Sequence, residues 1–152
     1  MDDAKTSDEL VYLRAEVKRL RKALMRQSPG IEVLLKRRGF KVYKKEPAGD
    51  LLIPSKKYLA GYYRTLQKYS FRLFLRDVIK RQEFFTLEDV TRYATPAVTT
   101  EYLEYLLSVK LIKKRAKGYA LARGPVTSFG ATLEWFIAEI LKREFDAETA
   151  WG

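Results

Sequence analysis

The chain has 152 residues and carries 30 Lys and Arg against 19 Asp and Glu, a net charge of +11 at neutral pH. Its 47% hydrophobic content is ordinary for a globular chain, and its length suits one domain with extensions or two small domains. Cysteine and histidine are both absent, which excludes disulfides, thiolate catalysis, cysteine metal sites and every histidine-based triad or zinc site.

These exclusions leave carboxylates, Lys, Tyr, Ser and Thr as catalytic groups, alone or with a hard metal bound by oxygen ligands. The sequence shows no recognisable catalytic constellation of these groups, so we predict no cofactor, no resident metal and no enzyme activity for this chain by itself. The sequence has no run of 18 apolar residues. Its acidic N-terminus lacks the basic region and apolar core of a signal peptide. We therefore expect a cytoplasmic protein, associated with the nucleoid if its source is bacterial or archaeal, with no membrane partner.

The positive charge is unevenly distributed. Residues 31–80 carry thirteen basic and four acidic side chains, whereas residues 126–152 carry two basic and five acidic ones. A local excess of this size predicts a polyanionic partner such as nucleic acid.

The N-terminal segment, residues 1–28, is predicted to contain a helix over residues 8–27. Ser7 is the expected N-cap, and Ser28-Pro29-Gly30 ends the helix. Apolar residues recur in steps of three and four, a heptad seam of about two and a half repeats. The seam consists of Leu10, Leu13, Val17, Leu20 and Leu24. It indicates a coiled-coil homodimer, a partner helix, or a helix that docks on its own domain.

Residues 29–55 form a basic segment. A short helix is expected over 31–39, with Gly39 in the C-terminal capping position. The following residues predict either a hairpin, with a turn at 47–50 and a return strand at 51–53, or an extended segment that covers a core. Phe40 and Tyr43 are expected in the core. The basic residues of this segment predict a phosphate-contacting patch or a solvated surface: Lys36, Arg37, Arg38, Lys41, Lys44 and Lys45.

Residues 56–82 are predicted to be helical, as one long helix or as two that abut near Tyr69 and Ser70. Ser70 would cap the second helix. Basic residues recur every four positions and wind slowly around the helix, either along a phosphate backbone or on a solvated face. They are Arg64, Lys68, Arg72, Arg76 and Lys80.

The next stretch predicts a helix, a turn, a helix and a two-stranded ribbon. Phe84-Phe85 suggests a short first strand, and Thr86 with Asp89 forms a capping box for a helix over 87–94. A turn over 95–98 precedes a second helix capped by Thr99 or Thr100. Strands are expected over 111–115 and 119–122, joined by a tight turn in which Gly118 supplies a positive φ.

This order of elements resembles a winged helix-turn-helix over about residues 70–123, in a domain that we place at 56–124. The predicted fold class is therefore mainly α with a small β-hairpin (α+β). The resemblance implies an exposed second helix and a ribbon that forms the wing, with Lys113, Lys114, Arg115 and Lys117 along phosphates or in a minor groove. The exposed face of the second helix is expected to hold Thr100, Glu101, Glu104, Tyr105 and Ser108, with no cation.

Residues 125–152 predict an amphipathic helix that starts at Thr127 or Ser128. Its expected apolar face consists of Leu133, Phe136, Ile137, Ile140 and Leu141, with Trp135 beside it. Residues 132–152 are similar to the first core helix of PD-(D/E)XK nucleases, with Glu134 in the place of the family's early Glu. The carboxylates that hold Mg²⁺ in that family would lie beyond Gly152.

The sequence thus favours a winged-helix protein that binds double-stranded DNA electrostatically and with weak sequence specificity, as a monomer or a dimer. One alternative is a winged helix that binds a protein, and another is the non-catalytic N-terminal region of a PD-(D/E)XK-type nuclease. The candidate DNA-contacting residues are Lys113, Lys114, Arg115, Lys117, Arg64, Lys68, Arg72, Arg76, Lys36, Arg37 and Arg38.

Overall fold

The computed structural model describes residues 2–42 and 51–150, with side chains from residue 8 onward, and divides the chain into two units, Met1–Lys45 and Glu46–Gly152. In the described part, unit 1 contains α1 (Asp2–Gln27) and α2 (Ile31–Arg37). Unit 2 contains α3 (Leu59–Leu66), α4 (Tyr69–Lys80), α5 (Leu87–Val90), α6 (Pro96–Ser108), β1 (Ile112–Arg115), β2 (Gly118–Leu121) and α7 (Gly130–Phe145). The predicted class, mainly α with a small hairpin, is confirmed.

The helix α1 begins earlier than expected. Ser7 lies inside it, so its prediction as the N-cap is wrong. The residues before Ser7 include no proline or glycine, so the sequence permits a helix that starts earlier. The helix ends at Gln27, before Ser28 and Pro29, as predicted.

The end of α2 matches its prediction. Gly39 has φ +85°, and the N–H groups of Gly39 and Phe40 donate to the carbonyls of Lys36 and Leu35 at 3.0 and 2.9 Å. This pair of bonds is a Schellman motif, for which glycine is the favoured residue.

The hairpin predicted after α2 is not found among the described residues. Residues 51–53 form no strand, and Phe40 is 61% exposed, so its placement in the core is wrong. Tyr43, Lys44, Lys45 and the turn at 47–50 lie outside the described residues. Leu52 is instead buried in the core of unit 2, which confirms the alternative of a segment that covers a core.

The core of unit 2 is rich in aromatic side chains. Tyr62, Phe71, Phe74 and Phe85 are all fully buried, and the rings of Phe71 and Tyr102 meet edge to face at 5.1 Å. Each such side chain removed from water stabilises the fold by about 1.5–3 kcal/mol, and each well-oriented ring pair adds about 0.5–1.5 kcal/mol. This core joins α3, α4, α6 and α7.

The basic stretch after residue 55 forms a 3₁₀ turn over Lys56–Tyr58 and then two helices, α3 and α4. The break falls at Gln67 and Lys68, so Ser70 lies in the first turn of α4 and its prediction as the N-cap is wrong. The Ser70 hydroxyl instead shares a 2.7 Å hydrogen bond with the Tyr102 hydroxyl, which ties α4 to α6.

The helix α5 is shorter than predicted. Its capping box is present, because the Asp89 carboxylate accepts from the backbone N–H and the hydroxyl of Thr86, both at 2.9 Å. The helix ends at Val90 after one turn. The Thr91 hydroxyl donates to the Leu87 carbonyl at 2.6 Å, a local bond that competes with continued helix.

The helix α6 begins at Pro96, three residues before the earlier of the two predicted caps. Thr95 is the N-cap, with its side chain 3.3 Å from the Val98 N–H, so the assignment of Thr99 or Thr100 is wrong. Proline suits the first helical position because its missing N–H has no partner there, and the residue before it favours an extended backbone.

Strands β1 and β2 pair antiparallel, with Ile112 opposite Leu121 and Arg115 opposite Gly118. Phe85 adds an isolated antiparallel bridge to Tyr119 on the other edge of β2, in the position of the predicted first strand. The order of pairing is therefore Phe85, β2, β1. The described architecture is compatible with a winged-helix fold.

The helix α7 packs into the same core through part of its predicted face. Phe136 is buried and Leu133 and Ile140 pack against the core, which confirms their placement. Ile137 and Leu141 are exposed, so their placement is wrong, and Trp135, expected beside the face, is buried in their stead. The helix begins at Gly130, whose N–H donates to the Ser128 hydroxyl at 3.2 Å, rather than at Thr127 or Ser128.

Candidate nucleic-acid interface

The hairpin formed by β1, Ala116-Lys117 and β2 carries four exposed cations: Lys113, Lys114, Arg115 and Lys117. Ile112 is buried and anchors the first strand in the core. The cross-strand neighbours of the three cations on β1 are Ala120, Tyr119 and Gly118, none of which is acidic. None of the ion pairs found among the described residues includes a hairpin cation. These charges are therefore available to an anionic partner.

The base of the hairpin is held firmly. Phe85 and Tyr119 exchange two backbone hydrogen bonds of 2.9 and 2.8 Å, and their rings stack at 5.8 Å. The Leu121 N–H donates to the Gln82 carbonyl at 2.8 Å. Backbone pairing on both edges of β2 orients the hairpin, so its cations project from a defined strand and not from a loose loop.

Gly118 serves a different purpose from the predicted one, because it does not have a positive φ. A Cβ at Gly118 would lie 2.4 Å from the Phe85 carbonyl oxygen and 3.0 Å from the Phe84 ring. Glycine is required here because the backbone of residue 85 approaches β2 too closely for a side chain.

A groove of about 260 Å³ opens at the base of the hairpin, which we call the basal groove. Lys57, Lys110 and Arg123 line it together with Tyr58, and none of its lining residues is acidic. The Lys57 ammonium lies 4.6 Å from the centre of the Tyr58 ring. The basal groove therefore adds three cations beside the basic hairpin.

Our sequence predictions missed these three cations. Lys110 precedes the first predicted strand and Arg123 follows the second, so antiparallel pairing alone brings them to one end of the hairpin. The Ala122 N–H donates to the Leu111 carbonyl at 2.9 Å and closes that end. No sequence pattern links Lys57 to this place, because its position depends on the packing of the 3₁₀ turn.

Lys110 has the left-handed φ of 60°, which glycine usually adopts. It occupies the C′ position of α6, where its N–H donates to the Leu107 carbonyl and the Leu111 N–H donates to the Leu106 carbonyl. This is a second Schellman motif, built on a lysine and not on a glycine. The side chain thus places a cation in the basal groove despite an unfavourable backbone.

The cations of α3 and α4 do not form one continuous stripe, because two separate helices carry them. Arg72 donates to the carbonyls of Leu66 and Gln67 at 2.6 and 3.1 Å, which caps the C-terminus of α3. Its guanidinium also lies 5.5 Å from the centres of the Tyr69 and Phe136 rings. Arg72 therefore has a structural part in the core of unit 2.

Arg76 is also engaged within the fold. It donates to the Tyr93 hydroxyl at 2.8 Å and pairs with the buried Asp77 carboxylate at 3.3 Å. Arg64 and Lys68 are exposed, although Arg64 lies 3.4 Å from the Ala60 carbonyl. Of these four predicted contacts, Arg64 and Lys68 are the two that solvent reaches most freely.

The remaining predicted contacts lie in unit 1. Lys36 and Arg37 form the last turn of α2, and Arg38 is its C-cap. All three are exposed, and cations at this end of a helix interact favourably with its carbonyls.

The exposed face of α6 is acidic. Glu101 and Glu104 are exposed, and the helix contains no Lys or Arg. Tyr105, predicted on this face, is half-buried, with its ring 6.0 Å from that of Phe71. Burial raises the pKa of Tyr105. This face presents negative charge where a winged helix would place its recognition helix.

The seam of α1 is solvent-accessible. Its five apolar residues, Leu10, Leu13, Val17, Leu20 and Leu24, are 47–66% exposed. In the described part of unit 1, no side chain is buried.

Among the described residues, no group of three or more carboxylates could hold a metal ion, and no helix is long and apolar enough to cross a membrane. Glu134, the residue that resembles the early Glu of the nuclease family, is exposed on α7. Comparison of the chain with family models, curated proteins and solved structures finds no match.

Proposed function

We propose that unit 2 is a winged-helix domain that binds double-stranded DNA through its phosphates, with weak sequence specificity. The observation that carries this proposal is the basic hairpin, which has four exposed cations, three of them on β1 without an acidic neighbour across the strands. In a winged helix, α4, α5 and α6 would be the three helices, and the basic hairpin would be the wing.

The acidic face of α6 determines the mode of binding. Glu101 and Glu104 would meet phosphates if α6 entered the major groove, and it brings no cation to offset them. A carboxylate can accept from a cytosine amine, but it needs basic neighbours to stay in the groove. The basic hairpin and the basal groove would therefore supply most of the affinity, so phosphate contacts outweigh base contacts.

Salt dependence tests this mode. We expect the full chain to bind unrelated duplexes with similar affinity, measured by fluorescence anisotropy at about 50 and 200 mM salt. Counterion release predicts that the logarithm of affinity falls with the logarithm of salt by about 0.9 per phosphate contacted. No binding at the lower salt concentration would overturn the proposal.

A triple substitution tests the hairpin. Lys113→Ala, Lys114→Ala and Arg115→Ala together should weaken binding equally on all sequences and reduce the salt slope by up to about 2.7. The matched control removes three exposed cations from α1 by Lys18→Ala, Lys22→Ala and Arg26→Ala. An equal loss of affinity in both variants would show that only net charge matters and would refute a specific role for the hairpin.

Lys110 allows a test of the basal groove that is independent of stability. Lys110→Gly removes the cation and relieves the left-handed backbone, so we expect weaker DNA binding together with an unfolding free energy unchanged or higher by about 1 kcal/mol. Unchanged affinity in a stable variant would exclude Lys110 from the interface.

Protein recognition by α6 is a second candidate function, favoured by the same exposed carboxylates. If α6 lies near DNA, Glu101→Lys should raise DNA affinity, whereas Glu134→Lys, the matched single reversal at an exposed position on α7, should raise it less. DNA affinity that responds equally to reversals on α6 and α7 would place α6 away from the duplex and favour a protein partner for that helix.

A further inference from the structure

The helix α1 carries an apolar seam that nothing in the described part of unit 1 covers. Its five apolar residues are 47–66% exposed, and the described side chains of the unit form no core. In proteins, most of the stability of a helix comes from packing its apolar face against a neighbour and not from helix propensity. We therefore expect a second helix to pack against the seam.

The heptad register identifies the charges that flank the seam. Leu10, Val17 and Leu24 take the a positions, and Leu13 and Leu20 take the d positions. This assignment places Glu9 and Glu16 at g, and it places Arg14 and Arg21 at e. All four charged side chains lie beside the seam, where interhelical ion pairs form in coiled coils.

These charges discriminate between the two orientations of a helix pair. In a parallel, in-register pair, each g residue faces the e residue five positions later in the other helix. Glu9 then meets Arg14 of the second copy, and Glu16 meets Arg21 of the second copy, each pair occurring twice. In an antiparallel pair, g faces g and e faces e, so Glu would face Glu and Arg would face Arg.

We propose that α1 pairs with a second copy of this chain as a parallel, in-register, two-stranded coiled coil. Val17 at a, between Leu13 and Leu20 at d, follows the pattern that favours two strands. Glu16 accepts from Arg19 of its own helix at 2.6 Å, an exposed pair that would exchange for Arg21 of the second copy. This inference goes beyond DNA binding and does not depend on it.

The short seam implies a dimer that dissociates on dilution. Such a dimer would contain two copies of unit 2. Once one copy has bound a duplex, the other would bind the same duplex at a high effective concentration.

The mass of the full chain tests the pairing. Sedimentation over a range of concentrations should give twice the 17.7 kDa of one chain, with dissociation on dilution. Glu9→Lys with Glu16→Lys, or Arg14→Glu with Arg21→Glu, puts like charges in every interhelical pair. Each variant should raise the dissociation constant about ten- to a hundredfold, and an equal mixture of the two should restore the dimer.

The matched control is Lys18→Glu with Lys22→Glu, two reversals at b and f positions away from the seam, which should leave the dimer mass unchanged. A single-chain mass at every concentration would overturn the proposal. So would a dimer that tolerates the reversals beside the seam as well as those in the control.

A cross-link tests the orientation. The chain has no cysteine, so Gln27→Cys, at the last d position, introduces a single thiol. A parallel pair brings the two Cys side chains together, and mild oxidation should join the chains. Adding Glu9→Lys and Glu16→Lys to the Gln27→Cys variant should abolish the cross-link, because the two helices no longer pair. A dimer of the correct mass that does not cross-link would refute the parallel arrangement.

Discussion

Gly118 shows how a single residue limits this fold. Its Cα faces the Phe85 carbonyl so closely that a Cβ would lie 2.4 Å from that oxygen. A side chain there would separate β2 from residue 85 and break the paired hydrogen bonds between Phe85 and Tyr119. The orientation of the four hairpin cations therefore depends on the absence of one methyl group.

We expect Gly118→Ala to reduce the unfolding free energy by about 1–3 kcal/mol, measured by urea denaturation, because the backbone of residue 85 must shift. The control is Gly61→Ala in α3, where the added Cβ would meet the Tyr105 hydroxyl at an ordinary 3.6 Å. Replacing a helical glycine by alanine should raise the unfolding free energy by up to about 1 kcal/mol. Equal effects at both positions would show that the close approach at Gly118 does not matter.

Asp89 gives the domain a predictable response to acid. Hydrogen bonds from the Thr86 backbone N–H and hydroxyl, with Arg81 nearby, hold the pKa of this carboxyl below its ordinary value of 3.8. A carboxyl with a lowered pKa stabilises the fold above its unfolded-state pKa, and the effect disappears as the pH falls through the folded-state value.

We therefore expect Asp89→Asn to lower the melting temperature at pH 7, with a difference from the parent that narrows below a pH of about 4. Glu88→Gln, at the exposed position next to it, is the control and should change the melting temperature little at any pH. A difference for Asp89→Asn that stays constant from pH 7 to about pH 3 would contradict the capping role of its charge.

At the scale of elements, the start of α6 adds residues to the N-terminal end of the helix. Beginning at Pro96 and not after Thr99, the helix includes the buried Thr99, while Glu101 and Glu104 lie in solvent as predicted. Thr95, Thr99 and Thr100 are all acceptable caps by residue type, but Pro96 favours Thr95, because proline suits the first helical position.

Thr95→Ala should destabilise the protein by about 1 kcal/mol in chemical denaturation, since it removes the acceptor for the Val98 N–H. Thr100→Ala, at an exposed position inside the helix, should change stability by less than about 0.5 kcal/mol. The reverse ranking would mean that the helix starts where the sequence predicted.

At the scale of unit 2, contacts between distant segments join the helices and the hairpin to the flanking chain. Thr132 on α7 is fully buried, and its hydroxyl lies 3.2 Å from the Leu52 nitrogen and 3.4 Å from the Leu52 carbonyl oxygen. The Tyr62 hydroxyl donates to the same carbonyl at 2.8 Å, and burial raises the pKa of Tyr62 well above its usual range. The segment before α3 and the helix after the hairpin therefore belong to one core.

Thr132→Val keeps the shape of the side chain but leaves the buried Leu52 N–H without its partner. We expect the free energy of unfolding to fall by about 1–3 kcal/mol. Circular dichroism and tryptophan fluorescence should report the same single unfolding transition. Thr127→Val, at an exposed position outside α7, should be nearly neutral. Separate transitions for the two probes would contradict a shared core.

The sequence by itself determined the class of fold, the capping box of Thr86 and Asp89, the glycine cap of α2 and the basic hairpin, because each depends on residues close together in the chain. Tertiary structure decided the buried face of α7, the burial of Leu52 and the grouping of Lys57 with Lys110 and Arg123. Each of these results from competition between similar local choices, which packing between distant segments resolves. The tertiary structure also engages Arg72 with the carbonyls at the C-terminus of α3. The four-residue spacing of the basic residues could not distinguish this contact within the fold from a contact with a phosphate.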